Sequence, residues 1–506
     1  MKLTHSSIAI FAVGAVVLTG CSGQSAATTD QAVTTLTIGA IQDVPSWDPA
    51  MAHVGHTLVP YQAPYDTLIL REPDGTLSPM LSTEWEWDDS RTTLTLELET
   101  GVTFTDGTAF DAEAVIANFD HFKSANGRQA LQLAAYDSAT ALDENTVEVQ
   151  LSAPDPAFEI YLSQAAGLMA SPAAIDSGTL ESAPVGTGPY LFDEAGSVRD
   201  SQLSFTARED YWNPDLQKFD NVTFRILGEL SARVNAVLSG QVDYSTLDAK
   251  SAVQAEEAGL TLVDDWQVDW TGMTLADRDG SINPALADVR VRQALNYAID
   301  RETLLEQIQL GYGSVTSQVF GPESGAFAED LENYYTFDPD RARELLADAG
   351  YAEGFELSIP VIPTFSTHVT AVGQQLADVG ITVTQVPESA ADYVANMASS
   401  QFSVFPYNLG QTDAWVAMGQ IVAPSAVFNP FRNSSPEVDD LLAAMQLSDD
   451  DSGRAAQDLN RYVTEEAWFL PFYRIDQIAA YQADRISVSS QIQQPIPSLY
   501  NFAPVG

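Results

Sequence analysis

The chain is poor in cysteine, in lysine and in long apolar runs. Cys21 is the sole cysteine among 506 residues, so intrachain disulfides are excluded and stability must come from packing, which a chain of this length can supply. Lysine occurs four times, and 70 acidic residues against 22 basic ones give a formal net charge of -48. Such a surface repels phosphates, which argues against nucleic acid and anionic lipid as partners, and it favours cations or zwitterions with exposed amines.

Motifs for catalysis and for cofactor binding are also missing. The sequence contains no Gly-x-Ser-x-Gly, no phosphate-binding loop ending in Gly-Lys-Ser/Thr, no His-Glu-x-x-His and no Ser-x-x-Lys. The spacing His53-x-x-His56 offers two metal ligands, but a third is not close in the sequence. We therefore predict a protein that is not an enzyme and that carries no cofactor and no metal site of its own.

The N-terminus has the pattern of an exported lipoprotein. The apolar run from Ile8 to Leu18 is 11 residues long, against about 20 for a spanning helix. Lys2 before it and Leu18-Thr19-Gly20-Cys21 after it predict a signal peptide over residues 1–20 that ends in a lipobox. Cys21 would carry the lipid on its thiol, and residues 21–35 would form a flexible tether. The predicted location is extracytoplasmic, anchored to the outer face of the cell membrane.

The rest of the chain mixes short strands with helices and shows no fixed-period repeat. Alternating apolar residues predict half-buried strands at 92–98 and 147–151. Helical spacing after the N-capping residues Asp111, Asp338 and Ser435 predicts three helices. A typical domain size of roughly 150 residues suggests about three lobes. The predicted class is α/β with several lobes.

Seven segments occur in an order that is typical of one family. They are 101–123 (GVTFTDGTAFDAEAVIANFDHFK), Pro184–Tyr190, Arg208–Trp212, Gly240–Asp243, 288–301 (DVRVRQALNYAIDR), Asp338–Gly350 and Leu376–Val383. Together they resemble extracytoplasmic solute-binding protein family 5, the substrate-binding lipoproteins of peptide- and nickel-type ABC importers, which include oligopeptide- and dipeptide-binding proteins. We expect most of the signature residues, among them Gly186, Gly188, Arg208, Tyr211 and Trp212, to serve the architecture instead of contacting solute.

The resemblance implies a periplasmic-binding-protein-like fold of type II, or cluster C. It has two main lobes joined by a hinge and an inserted further lobe. Lobe I would be discontinuous, at 36–58, 184–270 and 478–506. Lobe II would be the insertion at 59–183, and lobe III would span 271–477. Solute would lie in the cleft between lobes I and III, which closes by a hinge motion.

Tyr407 and the loop that follows it carry the prediction of a ligand site, in which Tyr407 is itself a candidate ligand-binding residue. In peptide-binding relatives an aspartate in this loop holds the amino group of the ligand, and Asp413 is the matching residue, although the proline that usually follows is Ala414 here. A partly buried carboxylate needs a cation or several donors, and a peptide N-terminus supplies both. Trp415 and Trp47 are candidates for stacking on a ligand.

A second segment departs from the short-peptide binders of the family. Those proteins tend to carry an arginine for the ligand's carboxylate where this chain has Ser366 and Thr367, followed by His368. Without a guanidinium group a dipeptide loses its carboxylate partner, so longer peptides with a free tail or a neutral solute fit better. Trp266 and Trp270 are further candidate stacking faces for such a solute.

The predicted function is that of an ABC-importer substrate-binding protein, which captures a small solute and delivers it to the permease. An oligopeptide is the favoured solute, and an oligosaccharide, a metal chelate or an opine is the alternative within the same importer class. A surface sensor or chaperone that uses the same fold is the alternative from another class. The expected partners are the permease and ATPase subunits and the membrane through the lipid, without nucleic acid, and the protein is expected to be a monomer.

Overall fold

The computed structural model describes residues 33–264, 266–410, 412–447 and 453–505. Cys21 and the predicted signal peptide lie outside these residues. The α-helices are α1 (Leu58–Tyr61), α2 (Ala112–Ala125), α3 (Phe158–Leu162), α4 (Pro172–Ser177), α5 (Leu230–Leu238), α6 (Ala249–Glu257), α7 (Val289–Tyr297), α8 (Arg301–Gln309), α9 (Pro339–Asp348), α10 (Ser366–Ala377), α11 (Ala390–Ala398), α12 (Ala414–Ile421), α13 (Pro436–Gln446) and α14 (Arg454–Glu465). No helix in these ranges is long and apolar enough to span a membrane.

Short strands alternate with the helices along the whole chain. They are β1 (Thr35–Ala40), β2 (Ile69–Arg71), β3 (Leu77–Pro79), β4 (Ser82–Trp87), β5 (Thr93–Leu98), β6 (Tyr136–Ala141), β7 (Thr146–Leu151), β8 (Tyr190–Phe192), β9 (Gln202–Ala207), β10 (Asn221–Ile226), β11 (Tyr244–Leu247), β12 (Thr261–Val263), β13 (Gln267–Leu275), β14 (Gly313–Val315), β15 (Phe355–Val361), β16 (Ile381–Pro387), β17 (Val404–Gly410), β18 (Phe469–Asp476), β19 (Ile478–Tyr481), β20 (Ile486–Val488) and β21 (Phe502–Pro504).

The largest sheet has seven strands in the order β12-β19-β11-β1-β10-β9-β8. Strand β1 is parallel to β10 and β11, so Ile38 lies opposite Phe224 on one side and Tyr244 on the other. Strand β19, from near the C-terminus, is antiparallel to both β11 and β12 and joins them. The sheet therefore combines the beginning, the middle and the end of the described chain.

A second sheet, β4-β5-β7-β6, is antiparallel and belongs to the segment between β1 and β8. The predicted strands are confirmed here, because Leu94, Leu96 and Leu98 of β5 are buried on one face, as are Val147 and Val149 of β7. Helix α2 packs on this sheet and begins where predicted. The Asp111 side chain caps the helix by accepting from the Ala114 amide at 2.9 Å.

A third sheet, β14-β18-β13-β17, is also antiparallel and contains the longest strand described, β13. The parallel pair β15-β16 and helices α7 to α10 share a hydrophobic core with this sheet, and α12, α13 and α14 pack in a second core beside Trp270. The predicted helices after Asp338 and Ser435 are confirmed as α9 and α13, each with proline in the first turn.

The signature residues Gly186 and Gly188 lie where two chain segments cross in close contact. An added Cβ at Gly188 would lie 2.5 Å from the backbone of Pro64 and Tyr65, and one at Gly186 would lie 2.2 Å from the Pro64 carbonyl oxygen. A side chain at either position would therefore separate the two segments. This contact supports the architectural role expected of both glycines.

Asp66, next to this crossing, forms hydrogen bonds with residues from two distant parts of the chain. Its carboxylate is fully buried and accepts hydrogen bonds from the Tyr211 hydroxyl and the Trp212 indole N–H, each at 2.8 Å, and from the Tyr500 hydroxyl at 3.5 Å. Burial raises the pKa of Asp66, while these donors oppose the rise. The Tyr-Trp pair of the family signature thus satisfies a buried carboxylate, which explains why both aromatic residues carry a polar group.

Candidate functional site

A cavity of about 810 Å³ separates the third sheet from the other two. One wall comes from the turn around Gly55, from the segment that follows α2 and from the end of α3. The other wall comes from β13 and α12. Its described lining includes His53, His56, Arg128, Gln132, Tyr161 and Gln164 on the first side, and Asp269, Thr412, Trp415, Gly419 and Gln420 on the second. The size is typical of sites for small molecules, and residues from widely separated parts of the chain converge on it.

Trp415, one of the predicted site residues, lines this cavity on the first turn of α12. Burial raises the pKa of Asp155, on the other side of the cavity, to about 6. The indole of Trp415 lies close enough to this carboxyl group to oppose the rise. On the same side of the cavity as Trp415, the Gln446 amide donates to the Pro154 carbonyl at 3.1 Å. The two walls are therefore in contact beside the cavity.

Asp413, the predicted partner of a ligand amine, precedes α12 and is its N-cap. The carboxylate is 2% exposed and accepts from the Val416 amide at 3.1 Å. Its neighbours Thr412 and Trp415 line the cavity, and its charge helps to raise the pKa of the Tyr161 hydroxyl across the cavity, although burial is the larger cause. The structure thus places Asp413 between two lining residues but outside the lining itself, with one oxygen engaged in helix capping. Its contact with a ligand stays a prediction.

Tyr407 and Trp47 lie in cores and not in the described lining of the cavity. The Tyr407 ring packs against Phe428, with ring centroids 4.1 Å apart, on strand β17. Trp47 is 2% exposed and is enclosed by Tyr61, Phe192 and Phe205. An indole surrounded in this way has no face left for a solute, and its role in this structure is packing.

The segment Ser366, Thr367 and His368 lies at the start of α10, again outside the described cavity lining. The Ser366 hydroxyl donates to the Pro363 carbonyl oxygen at 2.9 Å, and Thr367 is exposed. His368 is buried, with its Nε2 atom 2.6 Å from the Tyr473 hydroxyl, and burial lowers its pKa to about 4. The structure therefore does not bring this segment together with Trp415.

Most of the lining residues were not predicted from the sequence, and two of these carry a charge, Asp269 and Arg128. Asp269 lies near the start of β13, opposite Gly410 of β17 and Ile475 of β18. Burial alone raises the pKa of its carboxyl group to about 6. The sequence signal was an isolated acidic residue inside an otherwise uncharged strand, with no motif around it. Arg128 follows α2 and carried no signal at all.

A metal centre is not formed in the part of the chain that the structure describes, where no three histidine, cysteine, aspartate or glutamate residues lie close enough to share an ion. His53 and His56 both line the cavity. His53 Nδ1 lies 2.6 Å from the Val54 carbonyl oxygen, and burial, more than the nearby charges, lowers the pKa of His56 to about 4.

The mixed α/β architecture, with a cavity between the third sheet and the other two, is that of the extracytoplasmic solute-binding proteins. The family can be stated more narrowly. The chain belongs to the bacterial extracellular solute-binding proteins, family 5, whose middle-region model matches residues 76–425. It is thus a transport binding protein and not an enzyme, and it binds a small solute for an ABC permease.

Individual relatives agree with this assignment. The glutathione-binding protein GsiB of Escherichia coli (strain K12) is 29% identical over 435 residues, which cover 80% of this chain and 82% of the relative. The periplasmic binding protein DppA of Helicobacter pylori, solved with the peptide STSA, has a TM-score of 0.75 at 20% identity, with 93% and 98% of the two chains covered. NikA of Brucella suis, solved with Fe(III)-EDTA, has a TM-score of 0.81 at 20% identity, with 93% and 100% covered. These structures share the periplasmic-binding-protein fold.

Proposed function

We propose that this protein is a lipid-anchored peptide-binding protein, which captures a short peptide in the cavity between its two bodies. The observation that carries the proposal is the cavity itself. Its walls present an indole, amide side chains and single charges of both signs, a mixture that suits a peptide backbone and its termini better than an uncharged sugar. The names of relatives that bind glutathione or the peptide STSA support the same class.

The lobes proposed for this function follow the sheets. The seven-stranded sheet would form lobe I, built from about 36–58, 184–264 and 478–506, and the segment 59–183 with the second sheet would form lobe II. We place the start of lobe III before β13, because β13 pairs with β18 from its first residue, Gln267, and with β17 from Asp269 onward. Closure of lobe III on lobes I and II would then bury the solute, by a hinge motion.

A metal chelate is the second candidate solute. His53 and His56 line the same cavity, and a histidine whose pKa is held near 4 is neutral and can ligate a metal at pH 7. Mass spectrometry of the solute released by denaturing protein purified from its own host distinguishes a peptide from a chelate. The released molecule identifies the class directly.

We expect the peptide STSA or glutathione to stabilise the protein and to compact it. A hundredfold excess of peptide over the dissociation constant corresponds to about 2.7 kcal/mol of added stability. Thermal denaturation and small-angle scattering with and without peptide measure the two effects, with an uncharged oligosaccharide as the comparison. Stabilisation by the oligosaccharide and by neither peptide would contradict the proposal.

Lipid anchoring at Cys21 is proposed from the lipobox alone. The Cys21→Ser variant cannot form the thioether to lipid, so we expect it in the medium or cytosol instead of the membrane fraction. Acyl chains contribute about 0.8 kcal/mol per buried methylene, a contribution that serine cannot replace. Fractionation followed by immunoblotting measures the distribution, with Ser22→Ala as the control that keeps the thiol. Equal membrane attachment of the two variants would argue against the anchor.

A further inference from the structure

The described lining of the cavity contains one carboxylate, from Asp269, and one guanidinium group, from Arg128. They come from different walls, since Asp269 belongs to β13 of the third sheet and Arg128 follows α2 of the second. The rest of the described lining, apart from His53 and His56, consists of uncharged side chains. A solute in this cavity therefore meets one negative and one positive group from opposite sides.

Neither group has a charged partner within the described residues. Arg128 lines the cavity as an exposed residue and makes no ion pair there, so its guanidinium group is accessible to a solute. The Asp269 carboxylate receives no hydrogen bond from any described side chain or amide. A buried carboxylate without a donor is costly, and the raised pKa of Asp269 reports this cost.

The surroundings of Asp269 leave room for an incoming group. Gly419 of α12 lines the same wall as Asp269, and an added Cβ at that glycine would meet no atom within 4 Å. The indole of Trp415 lines this wall too. The wall that carries the half-buried Asp269 therefore keeps open space, and an ammonium group in the cavity can replace the water that the carboxylate would otherwise need.

We propose that Asp269 binds the cationic amine of the solute and that Arg128 binds its carboxylate, so that the cavity selects a small zwitterion. This inference rests on the proposed function, that the cavity holds the transported solute. It assigns the charged contacts to two residues for which the sequence offered no motif. An ammonium group at Asp269 makes a charge-assisted hydrogen bond in a site sheltered from water, and a guanidinium fork matches the geometry of a carboxylate.

Asp413 is the competing carboxylate for the amine. It caps α12, and the cavity lining includes its neighbours and not Asp413 itself. If the amine binds at Asp269, the Asp269→Asn variant should lose affinity. If the amine binds at Asp413, the loss should occur in Asp413→Asn instead. Binding measurements on both variants decide between the two positions.

The test uses calorimetric titration of the full protein with STSA, with its N-acetylated form and with its C-terminal amide. Against the parent protein, Asp269→Asn should bind STSA about tenfold to a hundredfold more weakly. N-acetyl-STSA should bind the parent and Asp269→Asn with equal, weakened affinity, because both changes remove the same interaction. In the same way, the C-terminal amide of STSA should bind the parent and Arg128→Gln with equal, weakened affinity. Asp89→Asn, an exposed carboxylate in a turn of the second sheet, is the control.

Each other outcome overturns a defined part of the inference. If Asp269→Asn binds STSA as tightly as the parent does, Asp269 does not bind the amine. The same conclusion holds if the loss of affinity caused by Asp269→Asn adds fully to the loss caused by N-acetylation of the peptide. A loss confined to Asp413→Asn assigns the amine to Asp413 instead. If neither STSA nor glutathione binds the parent protein, the peptide proposal fails. The zwitterion inference is then decided by the solute released from protein purified from its own host, and a solute that lacks either charge overturns it.

Discussion

Replacing Asp66 by alanine is expected to destabilise the protein by about 2–6 kcal/mol, because two buried donors lose their acceptor. The substitution leaves the Tyr211 hydroxyl and the Trp212 indole N–H without their acceptor, and also removes the weaker contact from Tyr500. Each unsatisfied buried donor costs about 1–3 kcal/mol. Denaturation by urea, followed by tryptophan fluorescence, measures the change in the free energy of unfolding.

The control for this prediction is Asp215→Ala, a change to an exposed carboxylate a few residues after the same Tyr-Trp pair. We expect it to change stability by less than about 0.5 kcal/mol. If Asp66→Ala also cost less than about 1 kcal/mol, the three donors would have found other partners, and the role assigned to the family signature would be wrong.

Replacing Asp269 by asparagine is expected to stabilise the empty protein while it weakens binding of the solute. Folding raises the pKa of this carboxyl from 3.8 to about 6 because burial disfavours the charged form. A difference of this size corresponds to at most about 3 kcal/mol, reduced by water in the cavity. Above pH 6 the folded parent carries the buried charge at this cost, whereas Asp269→Asn does not. At pH 4 Asp269 is protonated in the folded chain and partly ionised in the unfolded chain, so most of the difference is lost, and it vanishes below about pH 3.

Unfolding by urea at pH 8 and at pH 4 measures this difference between the parent and Asp269→Asn. The other ionisable groups that line the cavity or lie on elements next to Asp269 are common to both proteins and cancel: His53, His56, Arg128, Tyr407, Asp413, Arg474 and Asp476. Asp89→Asn is the control, for which no gain at pH 8 is expected. An equal or lower stability of Asp269→Asn at pH 8 would mean that the buried carboxylate does not destabilise the empty protein.

Local features of the fold could be predicted from the sequence because local physics determines them. The buried faces of β5 and β7 follow from alternation, and α2 begins at Asp111 because an aspartate satisfies the free amides of the first turn. These predictions required no knowledge of distant residues.

The ligand site could be predicted only in part, because burial is a property of the whole fold. The sequence offers both Trp415 and Trp47 as stacking faces for a ligand. In the structure Trp415 lines the cavity, whereas Trp47 is enclosed by three aromatic rings. His368 follows two hydroxyl residues as a surface histidine would, but it packs against Tyr473. Asp269 acquires its raised pKa from strands that are more than a hundred residues away in the chain.

Strand β19 has a consequence for the time at which the protein can fold. It lies between β11 and β12, so these two strands have no direct pairing and depend on residues 478–481 to be joined. Lys218 and Asp66 likewise bind Tyr500, near the end of the chain. During synthesis the large sheet therefore stays incomplete until almost the whole polypeptide has left the ribosome. Such a chain completes its largest sheet late in synthesis, which suits a protein that acts outside the cytoplasm.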